Sequence, residues 1–118
     1  VLAAGARSLE LLRAAGCNIG FGTDLLGDMH QHQSREFAIR AEVQGSLETL
    51  RQATSLNAAL LGRTGEIGTV APGALADLIA VDGNPIDDIG LLEHQGRKIP
   101  LVVAGGRVHR NELRGEAK

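Results

Sequence analysis

Apolar side chains at Leu9, Leu11, Leu12 and Ala15 fall on one side of residues 6–15, with Arg7, Glu10 and Arg13 elsewhere, and this spacing predicts a helix. Ser8 is placed to help cap its start and Gly16 to stop it. After a very short connection, Asn18-Ile19-Gly20-Phe21-Gly22-Thr23 predicts a small-residue strand over 18–23 that runs straight into Asp24. A helix handing over to a buried strand is half of a βαβ unit. The polar loop 24–33 follows, and Ser34 stands as the N-cap of a helix with Phe37, Ala38, Ala41 and Val43 on one side. Gly45 interrupts that helix. Ser46, Thr49 and Leu50 begin another, and Ala53 to Leu61 reads as a third, stopped by Gly62.

Beyond Gly62 the pattern changes. Gly65, Gly68, Pro72 and Gly73 punctuate a run of small residues, and strands are then predicted over 76–81, 99–104 and 107–110. Gly105-Gly106 is a tight hairpin signal, and Asp82-Gly83-Asn84-Pro85 a turn cluster. Residues 111–118 are polar and expected to fray. Two units follow from this: α/β material over 1–63 and a small β region over 64–118.

Composition excludes several classes of partner. The net charge of −2 supplies no attraction to nucleic acid or anionic membrane, and 2% aromatics with no Trp or Tyr leaves no base-stacking platform. Cys17 is the lone cysteine and is read as a small buried hydrophobe. No apolar run approaches the ~20 residues that span a bilayer, and no basic-then-apolar leader opens the chain, so a cytoplasmic protein is expected. The chain opens on Val1, and Met29 is its only methionine. It therefore reads as the last part of a longer enzyme.

Asp24 is the leading candidate for chemistry. A carboxylate at the end of a barrel or open-sheet strand sits where α/β folds gather their loops and ligands, and it can bind a metal or take a proton from an activated water. The competing reading is a turn cap that bonds to backbone N–H groups of the next loop. His30 and His32 stand two apart, which on a strand would aim both at one metal. In a polar loop that spacing sets no common direction, so they read as rim histidines able to touch substrate. A small independent metal site built from Asp24, Asp28, His30 and His32 is a weaker option. Arg35 is a possible anchor for a substrate carboxylate, but a surface place is preferred. Asp77 reads as a turn residue, Asp87 and Asp88 as the start of a short helix, and His94 and His109 as surface histidines. No phosphate-cradling glycine run and no Gly-x-Ser-x-Gly elbow is present.

Several stretches, in this order and spacing, resemble the C-terminal end of the amidohydrolase superfamily. They are Phe21-Gly22-Thr23-Asp24, Ala53-Thr54-Ser55-Leu56-Asn57-Ala58-Ala59, Gly65-Glu66-Ile67-Gly68, Ala71-Pro72-Gly73-Ala74-Leu75-Ala76-Asp77-Leu78, the Asp82-Gly83-Asn84-Pro85 turn, and Val103-Ala104-Gly105-Gly106-Arg107-Val108. The loop with Met29-His30-Gln31-His32 and Arg35-Glu36-Phe37 is most similar to the imidazolonepropionase-related branch, which includes prolidase-like metal-dependent dipeptidases.

The resemblance implies a (β/α)8 metallohydrolase barrel with a small β-sandwich. Residues 18–23 would be its eighth strand, with flanking helices, and residues from about 64 on would be the C-terminal share of the sandwich. It implies that Asp24 is a metal ligand and general base in hydrolysis of an amide or peptide C–N bond. His30 and His32 would then face substrate. It also implies a divalent metal, zinc by family expectation, with one or two ions in the full enzyme. The small-molecule substrate would be an amide or dipeptide, and a homo-oligomer is expected. The family's other ligands, an upstream His-x-His pair, a lysine and two later histidines, have no counterpart here. The chain alone is therefore expected to be inactive, and to associate through uncovered edges. The alternative is a free-standing, non-catalytic binding or assembly module derived from such an enzyme.

Overall fold

The computed structural model describes residues 2–113. Helix α1 spans Leu2–Ala14, longer than predicted, so Ser8 lies inside it and its hydroxyl donates back to the Ala4 carbonyl (3.0 Å) rather than capping the start. Gly16 N–H bonds to Arg13 O (3.0 Å) and Cys17 N–H to Leu12 O (3.1 Å). This paired closure satisfies two end carbonyls and needs the left-handed Gly16 (φ 72°). Cys17 is exposed, contrary to the buried reading.

The segment 18–23 is not a laddered strand. The strands of the described residues pair only with one another, and residues 17–26 form no ladder and no helix. Loop 24–33 contains a 3₁₀ turn at Gly27–His32. Helix α2 (Arg35–Gln44) follows without the expected Ser34 cap. Ser34 already has helical angles (φ −70°, ψ −13°), and the carbonyls of Gln33 and Ser34 take the first N–H groups of α2 (3.2 and 3.3 Å). Gly45 breaks the helix at φ 85°. The next two predicted helices are one continuous run: α3 (Ser46–Arg51), a π-helical turn (Gln52–Leu56) and α4 (Asn57–Leu60), with helical angles kept at Gln52 and Asn57.

The second half is a three-stranded antiparallel meander of β1 (Leu78–Ala80), β2 (Leu101–Ala104) and β3 (Arg107–Asn111), in spatial order 1-2-3. A bulge lies between Val102 and Val103. Asn111 pairs with Leu101, so the frayed tail cannot begin there; residues 114–118 lie outside the described residues. Asp77 ties a turn, as its type suggested: its carboxylate accepts from Gly105 N–H in the β2–β3 hairpin (2.6 Å). Asp88 caps the short turn Ile89–Leu92 through Gly90 N–H (3.0 Å). Replacing Asp77 with Ala removes a charge-assisted bond and should cost about 1–2 kcal/mol. Denaturant midpoints and amide exchange at Gly105 check this, and unaltered exchange would count against it.

Hydrophobic burial is slight. Among the described residues only Ala58 (2% exposed) and Leu92 (6%) are fully buried apolar side chains. The surface is 8333 Å², against about 6100 Å² for a compact protein of this mass. The Cα radius of gyration is 15.5 Å, against about 13.5 Å for a compact domain of this length. The deepest side chains are polar: Thr49 (0%) and Gln52 (1%). No helix among the described residues is long and apolar enough to cross a membrane.

Candidate active site

The site grows from the stretch Gly20-Phe21-Gly22, whose backbone is held by side chains instead of a neighbouring strand. Asn57, at the start of α4, brackets Phe21: its Oδ1 accepts from Phe21 N–H (2.8 Å) and its Nδ2 donates to Phe21 O (2.9 Å). Arg40, from the middle of α2, donates through Nη1 to Gly20 O (2.7 Å) and brings Nη2 to 3.5 Å from Gly22 O. The same guanidinium lies 4.8 Å from the centre of the Phe21 ring. Gly20 leaves room for this bracket: a Cβ there would stand 2.6 Å from Asn57 Oδ1, so the Asn57 side chain would have to shift.

Arg40 is the head of a buried polar chain. Its Nε donates to Glu36 Oε1 (2.7 Å) and its Nη1 also to Gln52 Oε1 (2.9 Å). Gln52 and Gln44 exchange amide bonds (2.8 and 3.0 Å), Gln44 donates to Thr49 Oγ1 (3.1 Å), and Thr49 donates to Gly45 O (2.9 Å). No buried side-chain polar atom among the described residues is left without a partner, which is the condition for such a network to rigidify rather than destabilise.

Asp24 lies just past this clamped stretch. It is exposed and adopts left-handed backbone geometry (φ 50°), which Asp and Asn tolerate better than most residues. The two loop histidines diverge. His30 lines a cleft of about 630 Å³ with Phe21, Thr23, Phe37, Leu92 and Ile99; His32 lines a separate hollow of about 280 Å³ with Leu25, Met29 and Arg35. Asp24 lines neither. The cause is the 3₁₀ turn: residues two apart there lie about 240° apart around the axis, so they cannot share a direction. The larger cleft is of ligand size and is walled by the tilted Phe21–Phe37 pair, whose ring centres are 4.6 Å apart.

Among the described residues no three His, Cys, Asp or Glu side chains gather closely enough to hold a metal. The four-residue site of Asp24, Asp28, His30 and His32 is thereby excluded. A hard, exposed carboxylate fits as one ligand of a divalent ion, but the residues present do not make a complete site. The hydrogen bond from Arg63 draws Glu66 below the ordinary carboxylate range, and that from Arg110 does the same for Glu112. With folded pKa values depressed, what these exposed pairs contribute is present above the unfolded pKa and lost as pH falls through the folded one. His94 and His109 are exposed, as expected.

Sequence reasoning missed Arg40, Gln44, Gln52 and Asn57 as site-building residues. A signal existed in Glu36, Arg40 and Gln44, which recur every fourth position along one stripe of α2.

An extended stretch clamped by Asn57 and Arg40 thus ends in the exposed Asp24, and helices and a small antiparallel sheet follow it. The amidohydrolase family model matches residues 1–108, and the chain belongs to that family. No curated protein matches it. Among solved structures, it is similar to a prolidase complexed with N-methylphosphonate-L-proline (47% identity, TM-score 0.87, covering 91% of this chain and 26% of that one). It is similar to an amidohydrolase at 46% identity and TM-score 0.92, covering 95% of this chain and 27% of the other. A Xaa-Pro dipeptidase with methionine bound in its active site matches at 32% identity and TM-score 0.80, over 90% of this chain and 25% of that one. The chain thus spans about a quarter of the length of these solved relatives.

Proposed function

We propose that the chain is the C-terminal share of a metal-dependent amidohydrolase that hydrolyses an amide or peptide C–N bond, with dipeptides as its substrate class. The observation that carries this is the 47% identity to the prolidase over nine-tenths of the chain. Residues 1–63 would close a (β/α)8 barrel, with 18–23 as its last strand, and residues 64–118 would belong to a small β-sandwich. The large surface and scant apolar core suit a piece that packs against further barrel and disfavour a free-standing module.

A divalent metal, zinc by family expectation, would supply Lewis acidity and lower the pKa of a water. Asp24 would be one ligand of that ion, and its carboxylate would take a proton from the attacking water and deliver it to the leaving nitrogen as the C–N bond breaks. His30 and His32 would contact substrate from the turn that follows.

The test is hydrolysis of Xaa-Pro and other dipeptides by the full-length protein, before and after chelation and after zinc is restored. Expected is loss on chelation and recovery on reloading, with no turnover above background by the isolated 118-residue chain. Turnover by the isolated chain, or turnover indifferent to chelation, would overturn the reading.

A further inference from the structure

We infer that Arg40 is a positioning residue for Asp24, an inference that rests on the function proposed above. Carbonyls two residues apart leave the same edge of an extended stretch. The Arg40 fork addresses those of Gly20 and Gly22, while Asn57 takes both polar groups of Phe21. With these backbone groups held from two helices, the stretch is restrained from rotating about its own axis. Such a rotation would swing the carboxylate two residues further on.

Arg40 suits this role because its guanidinium is itself over-determined. Glu36 fixes Nε, Gln52 fixes Nη1 from the π-helical turn, and the Phe21 ring lies beneath the plane. Its side chain is only 14% exposed. Lysine has the charge but not the planar fork, so it cannot reach both carbonyls and Glu36 at once. Arg40 touches no reacting atom. Its effect passes through the backbone to Asp24, as outer-shell groups orient metal ligands elsewhere.

The experiment uses the full-length protein with Arg40→Met and Arg40→Lys, Asp24→Asn, and Asp77→Ala. The last loses stability at the Gly105 hairpin bond, outside the network that holds Arg40 and residues 20–22. Readouts are kcat and KM for dipeptide hydrolysis, zinc affinity by chelator competition, and thermal melting. A carboxylate displaced by about 1 Å can cost up to ~100-fold. Expected for Arg40→Met is therefore a ~10–100-fold fall in kcat, with KM changed less than ~3-fold, and zinc bound ~10–100-fold more weakly. Arg40→Lys should show a smaller loss of the same kind, and Asp77→Ala a lower melting temperature with kcat and zinc affinity kept.

If Arg40→Met fails to fold, Arg40→Lys decides. Parent-like kcat and zinc affinity in Arg40→Lys overturn the inference, as does an equal loss in Asp77→Ala. An active Asp24→Asn would instead overturn the proposed function. An inactive Asp24→Asn beside a parent-like Arg40→Lys would overturn the positioning role alone.

Discussion

Asp24→Asn in the full-length protein is expected to lower kcat/KM for dipeptide hydrolysis by ~10²–10⁴-fold, the range that a positioned acid–base group contributes, while melting temperature stays near that of the parent. Two features make this substitution clean. The side chain is exposed, so an isosteric amide disturbs no packing. The backbone at φ 50° suits Asn as well as Asp, so the turn is preserved. Asp24→Ala would remove the same carboxylate but add a conformational cost at that φ, mixing chemistry with local unfolding. Asn keeps one carbonyl oxygen for the metal and loses the ability to take a proton. If bound zinc is largely retained while kcat falls, the proton-transfer role accounts for the loss. If zinc and kcat fall together, ligation accounts for it. Activity within ~3-fold of the parent would remove Asp24 from the chemistry.

What the sequence made legible were the features set by one or two residues. The left-handed stops at Gly16, Gly45 and Gly62 and the Gly105-Gly106 hairpin all stand where the residue types put them. Asp24 stands exposed where the small-residue run ends. Its means of support was not legible. Glutamine and threonine are mostly surface types, yet Thr49 and Gln52 are the most buried side chains described, since each polar atom finds a partner on a neighbouring turn. Pairwise hydrogen bonding across helices leaves no periodic mark of the kind that apolar burial leaves. The pattern of 18–23 was that of a buried strand, but a strand is a relation between segments, and no segment among the described residues pairs with this one. Here side chains at positions 40 and 57 take over some of the bonds a ladder would make. The histidines are another case: in a polar loop their spacing sets no common direction, and the 3₁₀ turn at Gly27–His32 sends them to separate hollows.

Gly68→Ala is expected to destabilise the full-length protein by roughly 2–5 kcal/mol, from two additive sources. The first is the backbone: Gly68 has φ 70°, where a Cβ costs about 1–2 kcal/mol. The second is contact. A Cβ there would be driven into the carbonyl of Thr54, 2.7 Å from its carbon, and would press on the Ala58 side chain at 3.1 Å. Overpacking of this kind costs about 1–3 kcal/mol, and a backbone carbonyl in a helical run cannot move aside as a flexible side chain can. Gly65→Ala separates the two sources, because Gly65 has a similar φ of 82° with nothing within 4 Å of the added atom. It should lose only the backbone part, about 1–2 kcal/mol. Urea midpoints of the two variants measured side by side give the packing term by difference, and equal losses would show that Gly68 is not pressed against the helix. The consequence extends to the site. Thr54 and Ala58 belong to the same run as Gln52 and Asn57, the residues that hold Arg40 and Phe21. Pushing that run away from Gly68 displaces the clamp on residues 20–22. Gly68→Ala should therefore lower kcat in the molecules that remain folded, whereas Gly65→Ala should not.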